Sequence, residues 1–220
     1  MPYSPLYGTA RRHGRSPGVN EPIKSGCATH AGSDVSDVLF VGGYSRHHSV
    51  RSKVLDWVAR LSDAWNVVYC LDASRLTKLA ESTIGAWLPL SKHRRPAAIA
   101  KIAKPPVFGR QLYDLIGSSK VVLNGAIDMA GTDRGNMRCF EAMGCGALLV
   151  SDSGGYPAGL QAGVTMETYD SPEQATEIIA KCLQDWPKSA AVAARGRSRV
   201  TEAYSKAAQW KQFADLVARI

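Results

Sequence analysis

The chain has 220 residues, 45% of them apolar, with 27 Lys and Arg against 19 Asp and Glu for a net charge of +8. That is enough to bury one sizeable core and excludes global disorder. No apolar run approaches the roughly 18 to 20 residues of a membrane span, so no integral membrane segment is expected. The basic balance points to an anionic partner.

Residues 1–36 are rich in Gly, Pro, Ser, Arg and His and lack apolar periodicity, which predicts a flexible extension. Its first residues have no apolar h-region, so it does not read as a secretory signal, and the Gly and Pro around Arg11, Arg12 and Arg15 speak against an amphipathic transit helix. The five cysteines (Cys27, Cys70, Cys139, Cys145 and Cys182) form no CxxC pair. Neither a disulfide framework nor a zinc site follows, and a reducing, cytoplasmic compartment is expected.

From Asp37 the texture changes, and residues 37–220 read as one domain. The run Val38-Leu39-Phe40-Val41 predicts a strand, Gly42-Gly43 a turn, and Val54, Leu55, Val58 and Leu61 a helix. Strands are predicted again at 67–71, 121–123 and 147–150, and Met137, Phe140 and Met143 mark a short helix before the last of them. These strands are continuously apolar, the pattern of a parallel sheet covered on both faces. The fold class predicted is α/β, a doubly wound, Rossmann-like parallel sheet with C-terminal helices.

Ser171-Pro172-Glu173-Gln174 supplies an N-cap, a proline at the first helical position and a glutamine three residues after the cap. Ala175, Ile178, Ile179, Cys182 and Leu183 then form one apolar stripe. Trp186-Pro187 reads as its stop. Helices near 188–203 and 206–220 follow, with Val200, Trp210, Phe213, Leu216 and Val217 available for packing.

In an open parallel sheet, ligands bind beyond the carboxyl ends of the strands. The loop after the first strand runs from Gly42-Gly43 through Arg46, His47, His48 and Arg51 to Lys53. A glycine turn opening into a basic helix start suits phosphate; solvated basic residues on a tight turn are the alternative. There is no GxGxxG, which disfavours a dinucleotide cofactor, and His47-His48 has no companion ligands for a metal. The segment from Asn124 to Asn136 leads into the helix carrying Glu141. From there a carboxylate can reach the ligand edge and accept hydrogen bonds from vicinal hydroxyls, or simply face solvent. Gly144 and Gly146 read as the exit from that helix.

The block at 136–152, NMRCFEAMGCGALLVSD, resembles the C-terminal domain of GT-B glycosyltransferases of the group-one type, especially the spore-maturation CgeB-like branch. DVLFVGG at 37, PVFGRQLYDLIGSSKVVLN at 106, YDSPEQ at 169 and RSRVTEAYS at 197 are similar to other segments of that domain. The resemblance spans about residues 37–218. It implies a donor-binding half that holds a nucleotide-diphosphate sugar and delivers the sugar to an unknown acceptor, with no cofactor and no metal. By the same resemblance Glu141 binds the ribose, Asp133 contacts sugar hydroxyls, Asn136 and Arg138 flank the donor-sugar loop, and Gly42 and Gly43 lie under the pyrophosphate. Arg51 follows that turn, Arg46 is a substitute for the family's nearer cations, and Phe108 and Gly109 face the nucleobase.

No general base is assigned. The family's acceptor-binding domain cannot fit into 36 residues, so a fragment, a truncated reading frame or a separate partner domain is expected. A non-catalytic nucleotide-sugar-binding module is the alternative. The basic run Lys92, Arg94, Arg95, Lys101, Lys104 and Arg110 contains no carboxylate between Glu81 and Asp114. Poor aromatic interleaving and the lack of a binding motif argue against nucleic acid or an anionic membrane there, and a solvated loop near the nucleotide is the simpler expectation.

Overall fold

The computed structural model describes residues 35–45, 48–126 and 131–219. The extension expected over residues 1–36 lies outside the described residues except for its last two, and Ser36 already opens the first strand. Arg46 and His47 also lie outside them.

Six strands form one sheet in which every recorded pairing is parallel: β1 (Ser36–Gly43), β2 (Val67–Asp72), β3 (Ala103–Lys104), β4 (Ser119–Leu123), β5 (Leu148–Asp152) and β6 (Glu167–Tyr169). Their order across the sheet is β3-β2-β1-β4-β5-β6. The predicted doubly wound α/β architecture is thus present. Two very short edge strands, β3 and β6, were not predicted. The register sets Val38 beside both Val67 and Val121, and Val121 beside Leu148.

The continuous apolar runs divide between two cores, one on each face. Val38, Phe40, Tyr69, Leu71, Val121, Leu123, Leu148 and Val150 meet Val54, Leu55 and Val58 of α1 (Ser49–Ala59), Ile99 of α3 (Ala97–Ile102) and Ile179 of α6 (Pro172–Gln184). A short α2 (Arg75–Ala80) precedes α3. Leu39, Val68, Cys70, Val122 and Leu149 meet Leu112 and Ile116 of α4 (Gly109–Gly117) and Cys139, Ala142 and Met143 of α5 (Met137–Gly144). Adjacent residues of one strand point to opposite faces, so a strand covered on both sides must be apolar throughout.

The helix ends follow local chemistry. Ser171 Oγ accepts from Gln174 N–H at 3.1 Å, while the Gln174 side chain reaches one residue further back, to Asp170 N–H. α6 stops at Gln184, as Trp186-Pro187 predicts, and a new helix follows at once. Asp185 caps α7 (Trp186–Ala203), and Pro187 sits in the first turn, where no N–H is needed. At the end of α5, Gly146 has φ +88°, Gly146 N–H donates to Met143 C=O and Ala147 N–H to Ala142 C=O. That is a Schellman closure, and it turns the chain directly into β5. The last helix, α8 (Lys206–Val217), buries none of its residues. Trp210, Phe213, Leu216 and Val217, expected to pack, are exposed, because α8 lies beyond the layer of helices that covers the sheet.

Candidate functional site

Strand order reverses between β1 and β4, so the connections leaving their carboxyl ends diverge and leave a crevice. Two adjoining hollows occupy it, of about 270 Å³ and 420 Å³, sharing Arg51, Gly125, Ala126 and Arg134. Ser49, Asp152 and Tyr169 line the first; Gly42, Asp133, Asn136, Met137 and Arg138 line the second.

The site rests on a buried polar scaffold at the end of β4. Asn124 Nδ2 donates to Ser151 Oγ at 3.0 Å, and Asn136 Nδ2 donates to Asn124 Oδ1 at 3.3 Å. Tyr169 Oη donates to the Asn124 carbonyl at 2.6 Å. Asn136 also caps α5 by accepting from Cys139 N–H, which fixes the start of that helix on the crevice rim. Free N–H groups of a first helical turn favour an anion. Burial raises the Tyr169 hydroxyl well above its usual range and pushes the Cys139 thiol up to about 11, so both are neutral at neutral pH.

Cationic groups enter from three elements. Arg51 comes from the first turn of α1, and its Nη2 donates to the Gly43 carbonyl at 3.1 Å. Its aliphatic stem crosses Gly125 so closely that a Cβ there would stand 3.2 Å from Arg51 Cγ and from Tyr169 Oη. Arg134 Nε lies 2.5 Å from Asp152 Oδ2 without the alignment of a hydrogen bond, while its Nη1 donates to the Gly131 carbonyl at 2.7 Å. Asp152 Oδ1 accepts from Ala126 N–H, so this carboxylate ties together both sides of the β4–α5 connection. Arg138 pairs with Glu141 at 2.5 Å on one face of α5. Its buried Nε has no hydrogen-bond partner among the described residues.

The structure therefore brings Gly42, Arg51, Asp133, Asn136 and Arg138 to one cavity. Glu141 does not line it and reaches it through Arg138. Gly42 and Gly43 do not form a turn: they extend β1, paired with Leu71 and Asp72, and the chain turns only after them. Phe108 and Gly109 line neither hollow. Phe108 caps α4 and Gly109 begins it, and both are exposed. Arg46 lies outside the described residues. Sequence reasoning missed Arg134 and Asp152, although Arg134 adjoins Asp133 and Asp152 closes the apolar run of β5 at the same rim.

Several solved structures share this fold. Anabaena HepE, in complex with UDP and glucose, is 17% identical with a TM-score of 0.60, over 84% of this chain and 49% of its own. The chain thus spans about half the length of that relative. Sucrose-phosphate synthase from Thermosynechococcus elongatus matches at 17% identity and TM-score 0.54, over 85% of this chain and 47% of its own. The C-terminal domain of a group 1 family glycosyl transferase (LpcC) from Francisella tularensis matches at 13% identity and TM-score 0.52, over 77% and 86%. No curated protein sequence matches the chain. The family model described as glycosyl transferase-like covers residues 73–215, well over half the chain, and the protein accordingly belongs to the glycosyl transferase-like family.

Proposed function

We propose that this chain is the donor-binding half of a glycosyltransferase, of the CgeB-like branch and acting in the cytoplasm, which takes a hexose from a nucleotide-diphosphate sugar. The observation that carries the reading is the gathering of Arg51, Asp133, Asn136 and Arg138 around one hollow where the sheet order reverses. The presence of UDP and glucose in the HepE structure supports it.

In this reading Arg51 and the first-turn N–H groups of α5 hold the diphosphate. Negative charge grows on the leaving phosphate as the bond to the sugar breaks, and groups already aimed at that charge lower the barrier. Asp133 and Asn136 meet sugar hydroxyls. Glu141 exchanges Arg138 for the vicinal hydroxyls of the ribose. The acceptor is held by a separate domain or partner, since the chain matches only half of HepE.

Calorimetric titration with UDP-, GDP- and ADP-sugars tests this. One nucleotide class should bind, and Glu141→Ala should weaken it by about 1.5 to 3 kcal/mol, the worth of hydrogen bonds to a charged acceptor. Equal affinity in both proteins removes Glu141 from the site. Binding without turnover, with candidate acceptor domains supplied, favours a non-catalytic module.

A further inference from the structure

We propose that the segment from Arg75 to Arg95 is a docking surface for an anionic lipid bilayer, entered by Ile84 and Trp87. Trp87 is 92% exposed and Ile84 71%, and Leu76, Leu79 and Leu88 are exposed within the same thirteen residues. In water these side chains are a standing cost. At a membrane interface tryptophan and long aliphatic chains gain, the ring lying at headgroup depth.

The segment is held in this arrangement. Ser82 Oγ accepts from Gly85 N–H at 3.1 Å and donates to the Leu79 carbonyl at 2.7 Å. Arg94 donates from Nε to the Ala80 carbonyl at 2.9 Å and from Nη2 to the Gly85 carbonyl. Any Cβ on residue 85 would collide with the Leu79 carbonyl at 1.8 Å. The turn bearing Ile84 and Trp87 is therefore pinned to the end of α2, which bears Leu76 and Leu79, and the apolar side chains point outward from a fixed backbone.

Charge complementarity names the occupant. Residues 75–95 carry five Lys and Arg and one carboxylate, Glu81, within a chain of net charge +8, and of the five Arg94 is held by the backbone carbonyls already named. Glu81 is already taken by Arg95 at 2.5 Å. Arg75 and Lys78 project from the same exposed α2 as the leucines. Cations interleaved with apolar anchors are what an anionic bilayer selects. Nucleic acid would use several stacking rings instead, and of these exposed apolar side chains Trp87 alone offers one, while Ile84, Leu76, Leu79 and Leu88 are aliphatic. Poor aromatic interleaving in the sequence thus argues against nucleic acid but not against lipid, because aliphatic side chains serve as membrane anchors. The surface follows the carboxyl end of β2, so it stands on the rim that also bears the cavity, and the inference does not depend on what that cavity binds.

Flotation of the full chain with vesicles tests the proposal. The protein should float with phosphatidylcholine containing about 30 mol % phosphatidylglycerol and at least about fivefold less with phosphatidylcholine alone. Ile84→Ala with Trp87→Ala should weaken flotation about tenfold, and Arg75→Ala with Lys78→Ala several-fold, at unchanged circular dichroism. Trp210→Ala with Phe213→Ala, on α8, should leave it unchanged. Quenching of tryptophan fluorescence by brominated lipid should drop in Trp87→Phe. Wild-type protein that stays unbound with anionic vesicles overturns the proposal, as does flotation lost in the α8 variant and retained in the Ile84/Trp87 variant.

Discussion

The guanidinium of Arg134 and the carboxylate of Asp152 stand 2.5 Å apart, both only 17% exposed, and join the β4–α5 connection to the end of β5. Asp152 also accepts from Ala126 N–H at 2.9 Å. Removing that carboxylate strands a half-buried cation and an amide at once. Asp152→Ala should cost about 2 kcal/mol of stability, read as a lower urea midpoint at unchanged slope, and should weaken nucleotide binding further. A variant as stable as wild type would show that the pair is merely a surface contact.

Asn136 has two tasks, capping α5 and donating to Asn124. Asn136→Ala loses both and should lower stability by about 1 to 2 kcal/mol. Asn136→Ser keeps a capping oxygen but cannot reach Asn124, so it should recover about half of that loss. If the two variants unfold at the same midpoint, the link to Asn124 carries the whole effect.

Gly125 leaves room for Arg51. A methyl group at 3.2 Å from both Arg51 Cγ and Tyr169 Oη forces one of them to shift. Tyr169 is buried and hydrogen-bonded to the Asn124 carbonyl, so the longer, unbranched stem of Arg51 is the one expected to give way. Gly125→Ala is therefore expected to weaken nucleotide affinity several-fold with a fall in Tm of only a few degrees, about 1 kcal/mol. Unchanged affinity would separate Arg51 from the donor site.

Burial pushes the Cys139 thiol up to about 11, above its usual 9. The folded protein keeps the proton that the unfolded chain gives up, so the contribution is complete below pH 9 and disappears as pH rises towards 11. Tm should decline across that window, and less so in Cys139→Ala measured against its own neutral-pH value. At pH 8, alkylation followed by mass spectrometry should find Cys139 unlabelled in native protein. Labelling of Cys139 before unfolding would show the pocket opening at the base of the site.

The central strands were legible because burial on two faces demands long apolar runs, as in Val38 to Val41 and Leu148 to Val150. β3 and β6 have two and three residues, too few for a run to stand out. Trp186-Pro187 was legible as the end of α6, and the following helix starts slightly earlier than expected, at Trp186, because Asp185 caps it. In the site, Arg51, Asp133, Asn136 and Arg138 could be found because they lie in the segments that leave the strands at the carboxyl rim or in the first turns of the helices that follow. Asp152 could not, since its importance comes from Arg134 and Ala126, which only the folded sheet brings to it.

The meagre outer strands have a further effect. β3 offers two residues and then Pro105-Pro106, neither of which has an amide hydrogen, and β6 offers three residues before α6 begins. A stray extended chain finds no ladder to join at either margin. The four inner strands, hydrophobic enough to seed fibrils if bared, are thereby shielded sideways as well as from above and below, and the protein should resist templated aggregation for as long as its helices stay in place.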